Sequence, residues 1–438
     1  MSVSPLVPVP QCPSLPTQPA PGATTRRSTL GWMAAGLGLW AAPASASLAL
    51  VEPRVRIAFI DPLSGPTAGI GRNALRTWQF MARKLGGVDN PAGVSLTVAG
   101  FDNKGSPQES LNAMKAAIDQ GFRYIVQGNG SGVATAIVEA VERHNLRHPD
   151  RAVLYINYAA MDPVLTQEGC SYWHVRIDAD TSMKTQALAR FLGSQSDLER
   201  VYLLNQNHAH GQQASFHFKE ALTRLAPRVS VVGEALHPPF QGQDFSPLVQ
   251  QVQASGAQAL VTANGGSDLQ ELVACMVDKK METPLYAYYL NHPGVPAVLA
   301  DARRRFPAYQ VACGHTNLPG RVGALAREFR RETGEDLVFY AAYDGVAMLI
   351  HAMRFAESTD AARVTARISG MLFKGFNGPV QINPEDHQLQ KGVFVSRWQN
   401  VNAEYPVAAE ETDFTFAPIR YFEAGQLSGN SSCQMRRP

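Results

Sequence analysis

The sequence predicts an α/β protein made of two similar lobes, each a doubly wound parallel sheet. Three observations carry this. From residue 54 short apolar runs alternate with helical patterns, and strands separated by helices of roughly 10–15 residues indicate βαβ units and parallel pairing. The alternation restarts near residue 181. The 438 residues, 45% hydrophobic and 17% charged, suffice for two domains with sizeable cores.

The elements follow in order. RVRIAFI (54–60) reads as a buried strand, and DPLSGPTAGIG after it as a glycine-rich loop leading to the helix RNALRTWQFMARKL. VSLTVAGFD (94–102) and PQESLNAMKAAIDQG (107–121) are the next strand and helix. YIVQG (124–128) and VATAIVEAVERHN (133–145) form a third pair, and AVLYINY (152–158) a fourth strand. The second series begins with the helix TSMKTQALARFLGSQ (181–195), the strand RVYLLNQN (200–207) and the helix GQQASFHFKEALTRL (211–225). VSVVGEALH (229–237), SPLVQQVQASG (246–256), AQALVTAN (257–264), SDLQELVACMVDKK (267–280) and PLYAYYL (284–290) continue the alternation. The last part carries the strand YQVACG (309–314), the helix RVGALAREFRRETG (321–334), a long helix over 339–357 and a mixed β tail after 370.

The first residues differ from the rest. Arg26-Arg27 is followed by the apolar run LGWMAAGLGLWAA (30–42) and Ala44-Ser45-Ala46. A basic start, a short apolar stretch and a small-x-small site describe a secretory signal over 1–46. The run is shorter than the roughly 20 residues of a membrane span, so the expected mature chain is exported and does not span a membrane. TTRRSTL resembles a twin-arginine signal; ordinary Sec export fits as well. Net charge is +2, which gives no electrostatic case for nucleic acid. Arg303-Arg304-Arg305 reads as a solvated helix face. Of five cysteines, Cys12 leaves with the signal, and Cys170, Cys275, Cys313 and Cys433 show no CxxC or CxxH spacing. A zinc site is not expected. Disulfides are expected to be permitted by export, with connectivity left open.

Ligands of such sheets bind beyond the carboxyl ends of the strands. The loops that matter are therefore 61–71, 102–107, 127–132, 157–163, 205–211, 262–268 and 286–292. YIVQGNGSG (124–132) is close to a dinucleotide-binding turn. The fingerprint fails because position 133 is valine, and the next strand ends in INYAA without an acid. What remains is a strand end, a glycine turn and a helix start, which offers N–H groups to an anion. Ser131 reads equally as a ligand contact or as the helix N-cap. Catalysis is not expected: there is no HExxH, no GxSxG elbow and no P-loop lysine. No cofactor is implied.

Six segments in order carry a resemblance: IAFIDPLSGPTAGIG (57–71), FDNKGSPQESLNAMKAAIDQGFRYIVQGNGSG (101–132), DPVLT with WHVRIDAD (162–180), QDFSPLVQQVQASGAQALV (243–261), FYAAYDGVAMLIHAM (339–353) and FKGFNGPVQINPEDHQLQ (373–390). Together they resemble the periplasmic solute-binding proteins of branched-chain amino acid ABC transporters. The resemblance implies a type I bilobed fold with three hinge crossings, lobe 1 over 54–176 plus 309–378 and lobe 2 over 177–308 plus 379–438. It implies a monomer that closes on a small-molecule ligand and hands it to a permease with its ATPase. A sensing module that presents its ligand to a receptor is the alternative.

For the site, the resemblance implies ligand contacts from Asn129, Gly130, Ser131, Tyr158, Ala160, Met161, Asp180, His210, Gly265 and Tyr289. The departures are informative. Met161 stands where relatives offer threonine, and His210-Gly211 stands where tyrosine-glycine is frequent. YAYYLNH (286–292), where amino-acid binders place the acid that pairs with the ligand ammonium, holds none. A buried ammonium without a carboxylate is costly. Asp178 and Asp180 remain, with a hinge hydrogen bond or a helix cap as the competing role. The expected ligand is a small acid, amide or aromatic compound rather than a standard α-amino acid, in a pocket of Tyr158, Met161, His210, Tyr288 and Tyr289.

Overall fold

The computed structural model describes residues 54–438, apart from 88–89, 302–305, 319–320, 428 and 430. The expected signal segment and the Arg303–Arg305 cluster lie outside the described residues. Among the described residues no helix is long and apolar enough to cross a membrane.

The first lobe begins with β1 (Arg54–Asp61), α1 (Ala68–Leu85), β2 (Ser95–Asp102), α2 (Pro107–Asp119), β3 (Tyr124–Gln127), α3 (Ser131–Arg147), β4 (Leu154–Asn157) and β5 (His174–Arg176). The five strands form one sheet in the order β2-β1-β3-β4-β5, parallel throughout. All residues of β3 and β4 are buried, as expected for strands with helices on both faces. Helix starts follow local chemistry. Ser106 caps α2 by accepting the Glu109 N–H, with Pro107 in the first turn.

The second lobe holds α4 (Thr181–Gly193), β6 (Arg200–Gln206), α5 (Ala209–Leu225), β7 (Ser230–His237), α6 (Ser246–Ala254), β8 (Ala259–Thr262), α7 (Gly266–Asp278), β9 (Leu285–Ala287), α8 (Val295–Asp301) and β10 (Ala308–Ala312). The chain then returns to the first lobe with α9 (Arg321–Thr333), α10 (Ala341–Ala356), α11 (Ala361–Ile368) and the small antiparallel sheet β11 (Leu372–Gly375), β12 (Gly378–Ile382) and β13 (Leu389–Gln390). Finally β14 (Val393–Asn400) and β15 (Phe414–Phe422) complete the second sheet, ordered β15-β14-β10-β9-β8-β6-β7, and α12 (Ala424–Leu427) packs on α4.

These pairings correct the sequence-based boundaries. β10 was expected in lobe 1, yet it hydrogen-bonds to β9 and β14 in the second sheet. Residues 379–390 were expected in lobe 2, yet Val380, Ile382 and Leu389 lie in the core built on β1, α1 and α10. A short strand advertises its type by alternation but not the sheet it joins. The chain thus crosses between lobes after β5, after β10 and after β13.

The glycine in FYAAYDGVAM has a packing cause. A Cβ on Gly345 of α10 would lie 2.4 Å from the Trp78 ring of α1 and 2.6 Å from Ile177. Among the described residues three buried ion pairs flank the crossings: Arg176 with Asp180 at 3.0 Å, Lys184 with Asp178 at 3.0 Å, and Lys391 with Asp344 at 2.6 Å. The open disulfide question is answered by Cys170–Cys433, with Cα atoms 5.7 Å apart. It fixes the C-terminal tail to the first lobe, where Ser432 also bonds to Gln167 and Glu168. Cys275 and Cys313 are free thiols.

Candidate functional site

The loop between β3 and α3 is shaped by glycines and one buried acid. A Cβ on Gly128 would sit 2.7 Å from the Tyr158 ring, and Gly130 has φ of 90°, a region that favours glycine. Gly130 occupies the cap position of α3, without a side-chain cap bond, and Ser131 is the first helical residue. The capping reading of Ser131 is therefore overturned. Its side chain is buried at the helix start, where the first N–H groups have no intrahelical acceptor.

Asp61, at the carboxyl end of β1, holds this loop. It accepts the Asn129 N–H at 3.0 Å, the Asn129 amide at 3.1 Å and the Tyr158 hydroxyl. Burial pushes its pKa up to about 6 despite those hydrogen bonds. Tyr158 also packs against Phe59, Trp78 and Phe339 and is 1% exposed. The structure thus turns the side chains of Asn129 and Tyr158 into the loop's own support rather than toward the second lobe.

Ala160 and Met161 follow β4. Asn157 takes the Ala160 N–H at 2.8 Å and donates to its carbonyl at 2.9 Å, which fixes the turn. The Met161 carbonyl accepts the Thr181 N–H at 2.9 Å and the Thr181 hydroxyl at 3.0 Å. The first lobe's loop is thereby tied to the start of α4. Met161 Sδ lies 2.8 Å from Lys184 Nζ and 3.8 Å from the Tyr289 hydroxyl.

The second lobe meets Met161 with aromatic and imidazole groups. His208 is the cap of α5, accepting the Gly211 N–H at Nδ1, 3.1 Å away. That leaves His210, in the first turn, to reach Tyr289 Oη at 3.2 Å and Thr181 Oγ1 at 3.5 Å. Burial lowers the His210 pKa to about 3, so the ring is neutral. Gly211 is required here, since a Cβ would come 2.0 Å from the Gln206 carbonyl oxygen. Gly265 caps α7, and its missing Cβ would touch the Tyr289 ring at 3.5 Å. His292 packs against Tyr289, tilted by 36° with centroids 4.6 Å apart, and faces Phe339 of the first lobe at 5.6 Å. Tyr288 departs from expectation and lies in the second lobe's core, 4% exposed.

The charges sit at the first crossing. Asp180 caps α4 through the Met183 N–H and pairs with Arg176, so both its oxygens are engaged in the hinge. Asp178 accepts from Lys184 at 3.0 Å, from the Ala179 N–H at 2.9 Å and from the Cys313 thiol. Burial pushes its carboxyl up, but Lys184, Lys391 and the thiol outweigh that and hold it below the usual range. Among the described residues no group of three or more His, Cys, Asp or Glu side chains is arranged to hold a metal.

The structure therefore brings Met161, His210, Gly265 and Tyr289 together, places Gly130, Ser131 and Ala160 on the first lobe's loops, and sends Asn129, Tyr158, Tyr288 and Asp180 to supporting roles. Sequence reasoning missed Lys184, Thr181, His292 and Asp61. The one available signal was a lysine in the first turn of the helix that follows the hinge, a position where a cation meets the positive end of the helix dipole.

Comparison with known proteins agrees with this architecture. A family described as periplasmic binding protein matches residues 54–403. The Leu/Ile/Val-binding protein homolog 4 of Brucella abortus (strain 2308) is 27% identical over 410 residues, covering 90% of this chain and 95% of the relative. The leucine-, isoleucine-, valine-, threonine- and alanine-binding protein of Brucella ovis, solved in a closed conformation, is 25% identical with a TM-score of 0.79. It covers 88% of this chain and 100% of its own. A Rhodopseudomonas palustris solute-binding protein in complex with 4-hydroxybenzoate is similar in fold, with a TM-score of 0.70 at 18% identity, covering 84% and 97%.

Proposed function

The chain belongs to the periplasmic binding protein family, and from that premise we propose that it is the exported solute-binding component of an ABC uptake system. It closes its lobes on a small organic ligand that is not a standard α-amino acid and delivers it to a permease. The observation that carries this reading is the constellation at Met161. A first-lobe side chain there meets Lys184 and Tyr289 of the second lobe at 2.8 and 3.8 Å. A ligand that touches both sides shifts an open–closed equilibrium by its differential affinity. The crossings absorb the change of angle, and no covalent chemistry is asked of the protein.

The ligand class follows from what surrounds that point. Amino-acid binding needs a carboxylate for the buried ammonium. Asp178 approaches Tyr289 closely enough to act on its hydroxyl, but its oxygens are already held by Lys184, Cys313 and a backbone N–H. Tyr289, His210 and His292 offer aromatic surface with polar edges. Similar folds include one solved with 4-hydroxybenzoate and one with 3,4-dihydroxybenzoic acid, which supports a small acid, amide or aromatic ligand. Thermal-shift screening of the purified mature protein is the test. Small acids or aromatics should raise the melting temperature and leucine or valine should not; the reverse result refutes the ligand class.

A further inference from the structure

Lys184 Nζ has a partner set that is incomplete for a buried cation. The side chain is 5% exposed. It donates to Asp178 at 3.0 Å, while the other partner at 2.8 Å is the Met161 thioether. An ammonium has three donors, and a thioether sulfur is a weak acceptor. Tyr289 Oη approaches the same sulfur at 3.8 Å. The Lys184 ammonium thus ends on one poor acceptor of the first lobe, and the Tyr289 hydroxyl, with His210 Nε2 at 3.2 Å, stands beside the same sulfur. That acceptor is the end of an unbranched side chain with three rotatable bonds, which repacks readily.

We propose that Lys184 is the residue that selects the ligand: an anionic oxygen of the ligand, a carboxylate or an ionised phenol, replaces the Met161 sulfur and receives the Lys184 ammonium and the Tyr289 hydroxyl together. The ligand class narrows to small organic anions that carry no ammonium. A cationic group in that place would stand beside Lys184 with no free carboxylate, whereas an anion completes a charge-assisted set. Asp178 acts as the counter-ion that keeps Lys184 buried without a ligand and shares it when one arrives. The neutral rings of His210 and His292 add no competing charge. This inference rests on the solute-binding reading above.

The test uses the full mature chain and matched probes that differ in charge: benzoate with benzamide, 4-hydroxybenzoate with 4-hydroxybenzamide, and 4-methyl-2-oxopentanoate with leucine. Affinity is read by titration calorimetry and lobe closure by small-angle X-ray scattering. Within at least one pair the ammonium-free anion should bind about 10–100-fold more tightly, the worth of a hydrogen bond to a charged group. Lys184→Met should erase that preference. Asp178→Asn removes the competing negative charge and should strengthen anion binding. A purely structural ion pair would make both variants weaker, so equal weakening overturns the assignment. So does an anion preference that survives in Lys184→Met, or leucine binding as tightly as its keto acid. If no probe compacts the wild-type chain, the solute-binding reading fails and this inference falls with it.

Discussion

Acidification from about pH 7 to pH 5.5 should destabilise this protein by roughly 5 kcal/mol, and the structure supplies the arithmetic. Five histidine rings are pushed furthest down by burial: His174, His210, His292, His315 and His387. Their pKa values fall from an ordinary 6.5 to about 3 for His174, His210 and His292 and about 4 for His315 and His387. In the unfolded chain these rings take up protons below about pH 6.5. In the folded chain they do not until pH 3–4. The unfolded state therefore binds more protons in that window, and stability is full above pH 6.5 and falls as pH falls. Each ring contributes a loss of about 1.2 kcal/mol between pH 7 and 5.5. Asp61 runs the other way. Its folded pKa of about 6 exceeds the ordinary 3.8, so about 1 kcal/mol is regained as pH drops through 6. The net change is a large part of a typical folding free energy of about 5–15 kcal/mol. Urea unfolding followed by circular dichroism across that range is the assay. His174→Phe, which can keep the stack on Tyr155 now at 5.0 Å, should reduce the loss by about 1 kcal/mol. A change below about 1 kcal/mol, or a gain, would show that the rings are not held neutral and would refute the reasoning.

Cys433→Ser frees the tail from Cys170, 263 residues away in sequence, and should cost about 2–4 kcal/mol, read as a lower urea midpoint under oxidising conditions. Lys391→Met leaves Asp344, fully buried, without its cation and should cost about 3–5 kcal/mol; adding Asp344→Asn should restore part of it in the same denaturation assay. Gly345→Ala forces a methyl to within 2.4 Å of the Trp78 ring and should cost about 1–3 kcal/mol or more, with loss of thermal stability as the readout.

Element type was legible from the chain because its causes are local. Alternating runs and helical periods such as YIVQG followed by VATAIVEAVERHN set β3 and α3, and the glycine at 130 adopts the positive φ the turn needs. The strand ends that meet were also legible, since Met161, His210 and Tyr289 all follow strands and the structure brings them together. Their partners were not. Tyr158 and Tyr289 look alike in sequence, each just after a strand, yet the first donates to a buried acid of its own lobe and the second reaches the other lobe. Burial of Asp61 decides the first case and lobe docking decides the second.

By itself the sequence determined two series of strands and helices, the loops at their carboxyl ends, and the absence of an acid from 286–292. Those properties depend on periodicity and on residue identity, which are written locally. The tertiary structure alone decided that β10 joins the second sheet, that Cys170 pairs with Cys433, and that Lys184, Met161 and Tyr289 converge across the cleft. These depend on contacts between segments up to 263 residues apart in sequence, and only the folding of each lobe and the docking of one on the other bring such segments within bonding distance.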